Sequence, residues 1–133
     1  MISVKFINFY TIEVMGLNSP IASFSVKCNN ENIKIRQISN YENKLYIDLD
    51  EEIILGNHYQ LELDGLIYEI NMTDLVDDSS FDIKFNYQEN DLGATCHDEY
   101  VIFKIFAPLA YAINVIIDYD NTQKIFALKR KDN

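Results

Sequence analysis

Apolar side chains in this sequence recur at every second position. That period restricts the chain to β-strands with one face in a core and the other in water. Leu45, Ile47 and Leu49 alternate with Tyr46 and Asp48, and Tyr59, Leu61 and Leu63 alternate with Gln60 and Glu62. Ile33, Ile35 and the nearby Ile38 are spaced by Lys34, Arg36 and Gln37. Isoleucine, tyrosine and phenylalanine are plentiful, as a pleated, half-buried surface favours. Turn-forming residues punctuate the runs and predict strands at about 2–14, 21–28, 33–39, 44–50, 57–63 and 66–72. Three more follow at about 100–107, 111–118 and 124–129. Asp64-Gly65 between Leu63 and Leu66 is a strong hairpin signal, so the strands on either side of it should pair tightly. Asp50 to Leu55 reads as one helical turn or a connecting loop.

Short strands at this spacing predict an all-β antiparallel sandwich or barrel. The stretch from Thr73 to Ser80 is polar and loop-like, and it sets an expected boundary. Residues 1–80 then form an antiparallel, immunoglobulin-like β-sandwich. Residues 81–133 form the first part of a second β-sandwich. No internal repeat is visible at a period of 20–50 residues.

The net charge of −10 argues against duplex nucleic acid as a partner, which requires clustered Lys and Arg to neutralise phosphates. Lys129-Arg130-Lys131 is the one basic cluster and reads as a solvated tail. The start, Met1-Ile2-Ser3-Val4-Lys5, lacks the basic end and apolar core of a signal peptide, and no apolar run approaches a membrane span. A soluble, cytoplasmic protein with no membrane partner is expected. Cys28 and Cys96 are too few for a disulfide framework and read as free thiols.

Catalytic and metal-binding patterns are lacking. Asp77-Asp78 and Glu51-Glu52 read as solvated loop charges, and no acid–base pair is nominated. His58 and His97 lie far apart without a Cys/His cluster, which disfavours zinc. Cys96-His97 has no third partner for nucleophilic catalysis. Asp118-Tyr119-Asp120-Asn121 reads as a strand turn rather than a calcium loop, since it lacks the Gly and distal Glu of an EF-hand. No catalytic residue, metal or cofactor is expected. Sugar binding needs exposed aromatic rings beside polar groups. The candidates are Tyr41 next to Asn40 and Asn43, Tyr46 on the polar side of its strand, and Tyr68.

One run carries a more specific message. It reads Phe81-Asp82, Phe85, Tyr87, Asp91-Leu92-Gly93-Ala94-Thr95, then Phe103-Lys104-Ile105-Phe106-Ala107-Pro108, with Ala110 beyond. In physical terms, Gly93 permits a conformation or a close approach that a Cβ would block. Pro108 ends a strand because it cannot donate to a ladder. Val101 to Ala107 is apolar on both faces at most positions, as in a central strand buried on both sides. The run resembles the entry into the starch-binding-type β-sandwich module that precedes the catalytic barrel of type I pullulanases. Those enzymes hydrolyse α-1,6 branch points in starch, glycogen and pullulan. The family pattern is Tyr-x-Gly-x-Asp-Leu-Gly-Ala-Thr, then Phe-x-x-Trp-Ala-Pro-Thr-Ala. Here the glycine is missing at 88–90, Phe106 stands for the Trp and Leu109 for the Thr.

The resemblance implies a non-catalytic N-terminal region that binds or positions α-glucan or a maltooligosaccharide and buttresses the parent enzyme's barrel. The residues of the motif act structurally in that case. The pullulanase signature Tyr-Asn-Trp-Gly-Tyr-Asp-Pro is absent, as are the paired carboxylates that such hydrolysis requires. The chain ends inside the module by this reading. The rival expectation is a stand-alone β-sandwich interaction protein that forms a homo-oligomer through open sheet edges.

Overall fold

The computed structural model describes residues 1–131. The first sheet holds β1 (Ser3–Phe6), β2 (Thr11–Met15), β5 (Ile35–Tyr41) and β6 (Lys44–Leu49), in the order β1-β2-β6-β5. The second holds β3 (Phe24–Cys28), β4 (Glu31–Ile33), β7 (Tyr59–Leu63) and β8 (Leu66–Glu69), in the order β4-β3-β7-β8. Every neighbouring pair is antiparallel. The chain is all-β, and the two sheets form a sandwich.

The alternation read from the sequence sets the core. Val4, Phe6, Ile12, Val14, Leu45, Ile47 and Leu49 come from the first sheet, and Val26, Tyr59, Leu61 and Leu63 from the second. Phe6 meets Tyr59 edge-on across the layers, with ring centroids 5.6 Å apart. Tyr59 also anchors the connecting loop, its hydroxyl oxygen accepting the Ile54 N–H at 2.9 Å.

Two expected strands divide. Residues 2–14 form a hairpin, because the Asn8 side chain accepts the N–H groups of Tyr10 and Thr11, both at 2.8 Å. That local turn reverses the chain and sets Phe6 opposite Ile12. Residues 33–39 divide at Lys34. β4 joins the second sheet and β5 the first, so this segment carries the chain between layers. Asp50 to Leu55 is a loop; Ile53 and Leu55 are buried, and Ile53 donates its N–H to the Phe9 carbonyl at 2.8 Å.

Residues 70–85 close one end of the sandwich. Asn71 pairs with β1, accepting the Phe6 N–H at 2.9 Å and donating to the Val4 carbonyl at 3.0 Å. A 3₁₀ turn (Thr73–Asp77) then buries Leu75, and a single helical turn, α1 (Phe81–Lys84), buries Phe81. Phe81 and Phe85 both stack on Phe9, at 6.4 and 6.2 Å.

Two hairpins follow. β9 (Gly93–Cys96) pairs with β10 (Val101–Lys104), and β11 (Asn114–Tyr119) pairs with β12 (Thr122–Ala127). The expected doubly buried strand at 101–107 is corrected here. β10 ends at Lys104, and Val101 and Ile102 are 46% and 45% exposed. A two-stranded ribbon covers neither of its faces, whatever residues it carries. The loop between the hairpins touches the sandwich. Leu109 packs against the core, and Tyr111 donates its hydroxyl to Met72 Sδ at 3.8 Å. The Tyr111 ring lies edge-on to His58 at 5.8 Å. Arg130 holds the loop's shape by donating to the carbonyls of Pro108 and Ala110, at 3.0 and 3.2 Å.

Candidate ligand-binding face

Strand register brings residues distant in sequence onto the outer face of the first sheet. Tyr46 lies opposite Glu13 on β2 and Ser39 on β5, while Glu13 lies opposite Lys5 on β1. Tyr41 lies opposite Lys44, two positions before Tyr46 and so on the same face. The face therefore presents two tyrosine rings, two lysines and a carboxylate.

Glu13 is its centre. The residue is only 7% exposed, and its carboxylate accepts from Tyr46 Oη at 3.1 Å and Lys44 Nζ at 3.3 Å. Lys5 Nζ stands 3.7 Å from its other oxygen and bonds Asp74 at 2.6 Å. Burial first, and the Glu13 carboxylate second, push the Tyr46 phenol above its ordinary range. The hydrogen bond to Asp74 holds the Lys5 ammonium above its own, against some desolvation. A carboxylate engaged in this way orients the phenol and the lysine heads. Beside it, Thr11 donates to Asp48 at 2.7 Å.

Of the three tyrosines singled out by sequence, this face gathers two. Tyr41 is 66% exposed at the end of β5, and Tyr46 is half-buried in the Glu13 network. Tyr68 sits in the other sheet opposite the buried Leu61 and packs against the core. Glu13 itself gave no signal in the sequence. A single carboxylate between Ile12 and Val14 looks like any outward strand position until β6 is laid beside β2.

The motif residues form a second cluster. Tyr87 donates its hydroxyl to one oxygen of Asp91, and Lys104 bonds the other. Phe106 stacks on the Tyr87 ring at 5.9 Å, and the Lys104 ammonium lies 6.0 Å from that ring's centre. The Lys104 hydrogen bond, then that of Tyr87, holds the Asp91 carboxyl below the usual carboxylate range. Asp91 in turn raises Lys104 and Tyr87. The cluster ties the 87–91 loop to β10, just where Gly93 opens β9. Gly93 has φ +93° and open space where a Cβ would stand, so backbone conformation alone calls for glycine there. Leu92 is exposed, Ala94, Thr95 and Phe103 line the hairpin, and Ala107-Pro108 begin the loop that reaches the sandwich.

A third polar group lies where the loop meets the sandwich. Glu69 accepts from Gln60 at 2.5 Å and lies 2.6 Å from His58, and Gln60 first, then His58, lower its pKa. His97 is elsewhere, stacked on Tyr100 at 4.6 Å in the β9–β10 turn. Among the described residues no group of three His, Cys, Asp or Glu is placed to hold a metal ion, and both cysteines are free thiols. No helix among them is long and apolar enough to cross a membrane.

No protein-family profile and no curated protein matches this sequence. Solved structures do match the fold. The pullulanase of Anoxybacillus sp. LM18-11 complexed with maltotriose aligns at TM-score 0.81 and 18% identity, over 99% of this chain and 21% of its own. The same enzyme complexed with maltotetraose gives TM-score 0.79 and 19% identity, over 98% of this chain and 19% of its own. The type I pullulanase of Bacillus subtilis str. 168 complexed with maltose gives 0.78 and 17%, over 98% of this chain and 20% of its own. At such identities the likeness is one of fold, and this chain spans about a fifth of the length of the chains it matches. The resemblance read in the Tyr87 to Pro108 run thus extends to architecture: nearly the whole chain is built as one-fifth of a pullulanase is built.

Proposed function

We propose that this chain serves as the non-catalytic N-terminal region of a pullulanase-like, α-1,6-glucan debranching glycoside hydrolase. In this reading residues 1–80 bind or position α-glucan, and residues 81–133 begin the module that buttresses the catalytic barrel. The observation that carries it is the fold shared over 99% of the chain with a pullulanase. The outer face of the first sheet supports the glucan role. Tyr41 offers a ring for the apolar face of a glucose unit, while the Tyr46 hydroxyl and the Lys44 ammonium offer polar groups for its hydroxyls. An apolar groove of about 330 Å³, lined by residues that include Val76, Phe81, Phe106, Pro108 and Leu109, supports the buttress role.

Calorimetric titration of the 133-residue chain with maltotetraose tests the glucan role. Saturable heat in the millimolar range is expected. Tyr41→Ala should weaken binding by roughly 2- to 10-fold, the worth of one ring contact. Tyr46→Phe, which keeps the ring but frees Glu13, should weaken it less. Absence of heat at millimolar ligand overturns the binding role, and equal affinity in Tyr41→Ala moves it off this face.

A further inference from the structure

The β7–β8 hairpin turns on Asp64-Gly65, and this dipeptide carries chemistry as well as conformation. An aspartyl side chain brings its Cγ within reach of the next residue's backbone nitrogen. Attack of that nitrogen on Cγ closes a succinimide ring. The N–Cγ bond forms, a Cγ–O bond breaks, and the hydroxyl of the carboxyl group leaves as water with the amide proton. Water then reopens the ring at either carbonyl, giving aspartate or isoaspartate, so no second reactant is needed. A following glycine leaves the nitrogen its freest approach, because it has no Cβ and reaches backbone conformations closed to other residues. At Gly65 φ is +84°, and nothing lies within 4 Å of where a Cβ would stand. The sequence holds no other Asp-Gly and no Asn-Gly.

The fold withholds the reacting carbon. Asp64 Oδ1 accepts from the N–H groups of Ala22 and Ser23, at 3.0 and 2.7 Å, and from the Ser23 hydroxyl at 3.2 Å. The Asp64 N–H donates in return to the Ser23 carbonyl at 3.1 Å. Ring closure has to pull the carboxyl oxygens off these donors. The donors themselves stand on a less secure footing. Ala22 and Ser23 are exposed, and residues 16–23 join no strand before β3 begins at Phe24. A segment without ladder bonds opens at lower free energy than the core strands beside it.

We propose that Asp64-Gly65 is a latent isoaspartate site, kept closed by the contact with Ala22 and Ser23 and released to react when that segment lifts away. Isoaspartate routes the main chain through Cβ and Cγ, which lengthens the two-residue turn by one atom. Leu63 then no longer sits opposite Leu66, and β8 loses its register on β7. The outer face of the first sheet takes no part, so the inference stands apart from the glucan reading.

Ageing of the 133-residue chain at neutral pH, folded and in urea, tests it. Isoaspartate is counted by methyl transfer from labelled S-adenosylmethionine with an isoaspartyl methyltransferase, and placed at residue 64 by fragment mass spectrometry. The folded chain should form several-fold less of it than the unfolded chain. In urea, Gly65→Ala should remove most of the signal at residue 64. Ser23→Pro deletes the N–H of the shortest bond to Asp64, and Ala22→Pro deletes the other. Whichever of these variants keeps the β-sheet circular dichroism should age several-fold faster than the folded parent chain. A parent chain that forms isoaspartate at residue 64 as fast folded as unfolded overturns the proposal. So does an unfolded chain in which residue 64 reacts no faster than the other aspartates. A folded proline variant that ages at the parent rate overturns it too, since the contact with residues 22 and 23 is then not what holds the site closed.

Discussion

Four hairpins turn on two residues that both have positive φ: Asn29-Asn30, Glu42-Asn43, Asp64-Gly65 and Asp120-Asn121. This backbone twists in the sense that the flanking strands need, which is why so few residue types serve it. Glycine adopts it freely, and asparagine tolerates it through local hydrogen bonds. Gly65→Ala isolates the backbone cost, because φ is +84° and nothing lies within 4 Å of the added Cβ. The variant should lose about 1 kcal/mol in chemical denaturation. Glu42, at φ 49°, is the poorly suited member, and Glu42→Gly should recover a fraction of that amount. Unchanged midpoints in both variants would show the turns to be malleable. These turns were legible in the sequence because Asn and Gly announce them between alternating runs. The Asn8 turn was not, because Ile7 and Phe9 continue the apolar rhythm across it and the turn rests on one side-chain oxygen.

At the scale of an element, the β9–β10 hairpin depends on the Tyr87–Asp91–Lys104 cluster, and its pH dependence has a definite sign. Asp91 has a lowered pKa when folded, chiefly through Lys104. Its contribution is therefore present above the unfolded carboxyl value and is lost as pH falls through the folded one. Lys104 has a raised pKa, chiefly through Asp91. Its contribution is present below the unfolded ammonium value and is lost as pH rises through the folded one. The hairpin should hold best between these limits and loosen below roughly pH 4, the ordinary carboxylate range. Amide resonances of 93–104, followed from pH 7 to pH 3, should shift toward random-coil positions before those of β6 and β7. Asp91→Asn should show the loosened pattern already at pH 7, and identical acid profiles for the two hairpin sequences would exclude the cluster as the cause. The motif's residue types and order were legible, but Lys104 was not, since only the fold brings its head to Asp91. The reading of 101–107 as doubly buried failed for a related reason: hydrophobicity records what a strand is able to bury, not whether a neighbour is there to bury it.

For the whole molecule, stability is concentrated where both layers share one core. That core was legible in the period-two pattern of β6 and β7, and even β2 keeps it. Its closure by Ile70, Leu75 and Phe81 was not legible, because Thr73, Asp74, Asp77 and Asp78 give the segment the composition of a linker. The 3₁₀ turn resolves the conflict by turning Leu75 inward while Asp74 pairs with Lys5 and Asp77 stays in water. The two hairpins lack any such shared interior, touching the sandwich mainly through Leu109, Tyr111 and Arg130. Opening them exposes little surface that is not already wet, so they should open well before the sandwich does. Hydrogen exchange makes this measurable. Amides of Ile12, Ile47 and Leu61 should exchange only through global unfolding. Those of Ile116 and Ile125 should exchange with opening free energies several kcal/mol lower, and Leu61→Ala, which removes about 2–5 kcal/mol from the core, should accelerate the first group and leave the second unchanged. Equal protection across both groups would instead make sandwich and hairpins one cooperative unit, held by the loop contacts alone.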